Sequence, residues 1–84
     1  MAPELSTYKV EFTKYAKDLA NKERFLINCG KYLLLLEPES TDIVFRKSVK
    51  KGDKIEVEMK KRGQSGDIEE IESIYHGGNK VFPA

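Results

Sequence analysis

Four consecutive leucines, Leu33 to Leu36, run into Glu37-Pro38, and no other segment restricts the fold of this chain as much. Pro38 stops the run from continuing as a helix, and a strand of leucines has no polar face, so it requires cover on both sides. A chain of 84 residues has interior for a single core and little more. The second cover must therefore come from an N-terminal helix laid over one face or from a second copy of the protein. A homodimer is accordingly one expected state.

The leucines form the second arm of a hairpin signal. Two apolar runs flank Asn28-Cys29-Gly30-Lys31, where Gly30 can take the positive φ of a tight turn, giving strands over about 24–28 and 31–37. Upstream, Tyr8, Val10 and Phe12 alternate with polar residues as in a strand. Phe12, Tyr15, Ala16 and Leu19 instead follow helical spacing, with Thr13 as a cap at the junction. A strand running into a helix satisfies both patterns, and a single helix over 5–21 is the other reading. Downstream, Ile43, Phe45 and Val49 face Ile55, Val57 and Met59 across Lys50-Lys51-Gly52-Asp53, a hairpin over 42–62. After Gly63, an Asp67-to-Glu70 capping box, helical spacing of Ile68, Ile71, Ile74 and Tyr75, and Gly77-Gly78 as a stop predict a short acidic helix over 67–76. A last strand over 68–75 is the runner-up.

The expected architecture is α+β. It has a small antiparallel sheet of four to five strands, an N-terminal helix and a short C-terminal helix, in one domain over 1–84 whose ends, 1–6 and 79–84, are flexible or docking tails. A small β-barrel of the OB or SH3 kind is the alternative, favoured if 68–75 is a strand. The usual OB order asks for a helix between the third and fourth strands, and the sequence reading finds none there. Any such likeness is one of architecture and carries no function.

The composition, 39% hydrophobic and 35% charged, is that of a globular chain rather than a disordered or membrane-spanning one. The longest apolar run falls far below the roughly 20 residues that cross a bilayer, and no basic-then-apolar leader precedes it. These features point to a cytoplasmic protein without a membrane partner. One cysteine, Cys29, cannot form an internal disulfide.

No enzyme chemistry is nominated, and neither a cofactor nor a catalytic residue is expected. Cys29 and His76 lie 47 positions apart, which is no zinc ligand set and no nucleophile–base pair with an orienting third group. Asp67, Glu69, Glu70 and Glu72 are explained by a helix N-terminus, which attracts carboxylates, so no metal site is expected. The glycines at 77 and 78 lack the preceding strand and the spacing of a phosphate-binding loop.

Charge is unevenly spread. Residues 42–62 carry eight basic against four acidic side chains, whereas 63–84 carry one against four. Either the middle segment meets an anionic partner or the acidic tail folds back on it. The outward residues of the return strand, Lys54, Glu56, Glu58 and Lys60, cancel, and hairpin pairing sets Arg46 against Glu56 or Glu58. What remains is Lys47, Lys50 and Lys51 at one end and Lys60, Lys61 and Arg62 at the other. The expectation is a small non-enzymatic nucleic-acid-binding protein that touches backbone phosphates through these six residues. The alternative is a protein-interaction module, whether homodimer, inhibitor or adaptor, that uses the Leu33–Leu36 strand or the acidic segment from Asp67 to Glu72. Lysines also discourage edge pairing of strands, which is a structural reason for their presence.

Overall fold

A computed structural model describes residues 5–59 and 71–84. The chain is mostly β. In order it forms β1 (Leu5–Lys9), β2 (Phe12–Lys17), β3 (Glu23–Asn28), β4 (Leu33–Leu36), a 3-10 turn (Pro38–Ser40), α1 (Ile43–Ser48), β5 (Lys54–Met59), β6 (Ile71–His76) and β7 (Asn79–Phe82). The strands make two antiparallel sheets, ordered β1-β5-β6-β7 and β2-β3-β4. The first strand segment bends at Val10-Glu11, so β1 serves the larger sheet and β2 the smaller one. Inward side chains of both sheets meet in one core of Val10, Phe25, Ile27, Leu34, Leu36, Phe45, Val49, Ile55, Val57, Ile74 and Val81.

The expected α+β arrangement is overturned: among the described residues, strands occupy 5–9, 12–17 and 71–76, where the terminal helices are expected. Thr13 and Tyr15 pair with Ile27 and Phe25, so β2 alternates, and the helical stripe of Phe12, Tyr15 and Ala16 is split between the two faces of a sheet. Leu19, the last member of that stripe, is fully exposed in the β2–β3 turn. At the other end, residues 71–76 form β6. Val57 stands opposite Ile74, which is fully buried, and Gly77 and Gly78, at φ +60° and +83°, turn β6 into β7 rather than stopping a helix. Two tandem positive-φ residues suit the twist of a two-residue hairpin. The capping-box residues at 67–70 lie outside the described residues. A barrel is not formed either, since among the described residues the pairings make two separate sheets rather than one closed ladder.

Among the described residues the one α-helix falls where the sequence reading places a strand. The Asp42 carboxylate accepts a 2.9 Å hydrogen bond from the amide of Phe45, capping the helix. Phe45 and the C-cap residue Val49 are four residues apart and both buried, while Ile43 and Val44 are exposed, so Ile43 and Phe45 do not share a face as strand alternation requires. The cap is itself held by β7. Its register with β6 skips Val81, and the Val81 carbonyl so released accepts the amide of Asp42 at 2.8 Å.

The β3–β4 hairpin forms about Gly30, which adopts φ +79°, with the Asn28 side-chain oxygen accepting its amide. Of the four leucines, Leu34 and Leu36 are buried, whereas Leu33 and Leu35 remain 61% and 53% exposed. Leu33 and Leu35 thus lie open among the described residues, without the second cover. The β2–β3 turn is organised by Asp18, whose carboxylate accepts the amides of Ala20 and Lys22 and the Arg24 Nε at 2.8 Å. These hydrogen bonds, the Lys22 amide first and Arg24 next, hold the Asp18 carboxyl below the ordinary range.

Two outcomes follow from these contacts. Asp42→Ala is expected to lower the unfolding free energy by about 1 kcal/mol in urea titrations, while Asp42→Asn, which keeps the acceptor, loses much less. Because the Asp18 pKa is depressed by folding, its contribution is full above the unfolded carboxyl value of about 3.9 and is lost as pH falls through the lower folded value. Thermal melts at stepwise pH are expected to show Asp18→Asn closing the gap to wild type only below about pH 4.

Candidate nucleic-acid interface

Three of the six basic residues singled out in the sequence, Lys47, Lys50 and Lys51, fall among the described residues. Lys47 is exposed in the last turn of α1, and Lys50 and Lys51 are exposed in the turn that leads into β5. Lys60, Lys61 and Arg62 lie outside the described residues. Arg46, expected to face a glutamate across a hairpin, instead donates from Nε to the Thr41 carbonyl at 3.1 Å and from a terminal nitrogen to the Tyr15 hydroxyl at 2.8 Å. It ties α1 to the smaller sheet.

Backbone pairing gathers a different basic group. Strand β1 runs antiparallel to β5 with Lys9 directly opposite Lys54. Residues paired in this way share a sheet face, with Cβ atoms about 5 Å apart, and like charges so placed repel. Both are exposed, on the solvent face opposite the buried Ile55 and Val57. The turn with Lys50 and Lys51 is fastened to the same place. Val10, next to Lys9, donates its amide to the Asp53 carbonyl and accepts the amide of Gly52, both at 2.8 Å. Gly52 adopts φ +94°, which a side chain there would strain.

Two nearby carboxylates carry hydrogen bonds of their own, while the exposed Glu56 shares the lysine face two residues from Lys54. Asp53 Oδ2 lies 3.2 Å from His76 Nε2 and accepts the amide of Lys50 at 3.2 Å. Glu58, at the far end of β5, accepts the Ser73 hydroxyl at 2.7 Å. Among the described residues, none of Lys9, Lys50, Lys51 and Lys54 is in an ion pair. On β5 itself Lys54 stands at one end, with Glu56 two residues along on the same face and the bonded Glu58 beyond it.

Aromatic groups border this face. Tyr75 pairs with Glu56 on one side and Lys80 on the other, which puts it on the face that carries Lys54 and Lys9. On the opposite face, Tyr8 packs against Tyr32 with ring centroids 5.0 Å apart, joining the β3–β4 turn to β1. Phe45, by contrast, is buried in the core.

Lys9 and Tyr75 are the residues that sequence reasoning missed. Alternation marks Lys9 as an outward residue of β1, but its juxtaposition with Lys54 depends on pairing across 45 positions. Among the described residues, no three histidine, cysteine or acidic side chains gather as metal ligands, and no helix is long and apolar enough to cross a membrane.

Cys29 sits at the same junction, partly buried. Burial and then the nearby Glu11 carboxylate push its thiol pKa up. Glu11→Gln is expected to speed its reaction with a thiol-specific reagent at pH 8, since removing the charge lowers the pKa and raises the thiolate fraction. An unchanged rate would show that Glu11 does not act on the thiol.

No protein-family model matches the chain, and neither a curated protein nor a solved structure matches it. Its functional reading rests on the side chains described above.

Proposed function

We propose that the protein is a non-enzymatic nucleic-acid-binding domain that contacts backbone phosphates through Lys9, Lys50, Lys51 and Lys54, with Lys47 at the margin. The observation that carries this reading is the direct opposition of Lys9 and Lys54 beside a turn bearing two further unpaired lysines. Opposed like charges oppose strand pairing, and a phosphate placed between them turns that repulsion into attraction for the ligand. Structural reasons account for other basic residues. Lys47 suits the negative end of α1, and Arg46 is bonded internally. Lys9 lies on the edge strand β1, where a lysine also discourages edge pairing, but that role does not ask for a second lysine opposite it on β5.

Tyr75 supports single strands over duplexes as the ligand. Its ring shares the lysine face, and an unpaired base has a free surface to stack on it, whereas a duplex hides its bases. Sequence preference is expected to be weak, because phosphate contacts position a ligand without reading it.

Fluorescence anisotropy with labelled single-stranded and duplex oligonucleotides tests the proposal. Four phosphate contacts are expected to give a slope of log affinity against log salt of about −3 for single strands. Lys9→Ala/Lys54→Ala is expected to flatten that slope by about 1.4, and Lys9→Glu/Lys54→Glu to abolish binding. Lys14→Glu/Lys17→Glu, an equal charge change on the other sheet, is the control. Absence of binding at low salt, or loss of binding only in the control variant, sinks the proposal.

A further inference from the structure

We infer that two copies of the protein pair through the free edge of β4, antiparallel, with Leu34 of each copy opposite Leu34 of the partner subunit. Strand β4 ends its sheet, and among the described residues no strand pairs with its second edge. The phase of its backbone is fixed by the hairpin. Cys29 donates its amide to the Tyr32 carbonyl at 2.8 Å, so residues 29 and 32 form a hydrogen-bonded pair. Antiparallel ladders alternate, which makes Ile27 with Leu34 and Phe25 with Leu36 the next bonded pairs. Leu33 and Leu35 therefore turn their amides and carbonyls outward, to the free edge.

A two-fold axis normal to the sheet joins only residues on the same face, so the sum of paired residue numbers must be even. Pairing centred on Leu34 sets Leu33 against Leu35 of the partner subunit. Both present outward groups, and the two symmetric pairs exchange four backbone hydrogen bonds. Sequence charge selects the same register. Glu37 follows β4 in extended conformation, and the exposed Lys31 closes the turn that leads into the strand. Centring on Leu34 brings Lys31 beside Glu37 of the partner subunit, twice. Shifting the centre to Leu35 sets Glu37 against Leu33 of the partner subunit and loses both ion pairs.

The side chains agree with this placement. Natural edges are commonly blunted by lysine, proline or a bulge, and β4 has none of these within its four leucines. Pairing sets the exposed Leu33 and Leu35 beside their symmetry mates on a face that also carries Phe12, 47% exposed, and the half-buried Leu26. An edge of four residues makes a small interface, under about 1,200 Å², so the dimer dissociates on dilution.

Sedimentation across a concentration series, without nucleic acid, reads the state directly. The wild type is expected to pass from monomer to dimer on concentration. Lys31→Glu and Glu37→Lys, each of which sets like charges together twice, are expected to weaken the dimer about tenfold, and Lys31→Glu/Glu37→Lys to restore it. Both substituted positions are exposed, and far-ultraviolet circular dichroism checks that each of the three variants is folded. A strict monomer at every concentration overturns the inference. So does a dimer that either single substitution leaves intact, or one that the double substitution does not recover, since either places the contact on another surface or register. A monomer that instead adds an extended peptide from another protein along β4 overturns self-pairing as well.

Discussion

The side chain of Phe45 joins the two halves of the fold. Its ring stands 6.3 Å from Phe25 in the smaller sheet and 5.1 Å from His76 in the larger one, and Tyr15 continues the series 5.3 Å beyond Phe25. The two sheets have separate ladders and share only the bend at Val10-Glu11, so contact between their inner faces depends on what fills the space between them. α1 supplies that filling from a single turn and a half of helix. Polar contacts on either side hold it in place. Arg46 reaches the Tyr15 hydroxyl, and Asp53 lies beside His76. A helix of six residues has no independent stability in water, so its cap on Asp42 and its burial of Phe45 are what make it a helix. The turn that carries Lys50 and Lys51 begins where that helix ends, and the basic face is therefore positioned by the same plug.

How far the sequence could be read follows from which interactions are local. The β3–β4 hairpin was legible because its determinants, two apolar runs and Gly30, lie within a dozen residues. The turn at 50–53 was legible for the same reason. The conflict between strand and helix in α1 and β6 was not, because a few apolar residues fit both periods when the segment is short. Ile43 and Phe45 suggest alternation, yet Asp42 before them and Arg46 and Lys47 in the last turn are ordinary helix-end signals that were given too little weight. For β6, the choice is made by partners. Ile74 lies between Val57 and Phe82, residues of two other strands whose proximity is a property of the whole fold. The candidate site divides in the same way. Lys50 and Lys51 could be named from a local turn, whereas Lys9 became relevant only once β1 was seen to lie on β5.

Position within the sheet, rather than the sum of charges along one strand, sets the field at the candidate site. Glu56 lies about 7 Å along β5 from Lys54, whereas Glu58, which cancels Lys54 in a count, is separated from it by roughly 13 Å. That exceeds the screening length of about 8 Å in physiological salt, so the two ends present different potentials to a ligand. Across the sheet the separation is smaller than along it. Lys9 therefore matters to Lys54 far more than Glu58 does, and the sheet register, rather than the sequence neighbourhood, determines the local field.

The lysine face and the leucine edge belong to different sheets, so occupying one leaves the other open. Pairing through β4 would carry two lysine faces in one assembly without altering either. A polyanion long enough to span both then binds its second face at an effective concentration set by the distance between them, and avidity rises without any new contact. A short oligonucleotide gains nothing, because it reaches one face only. The length dependence of affinity thus links the two surfaces. A domain with a core this small cannot build a deep groove for a nucleic acid, but duplicating a shallow basic face through an exposed edge extends the charged surface while leaving the core as it is.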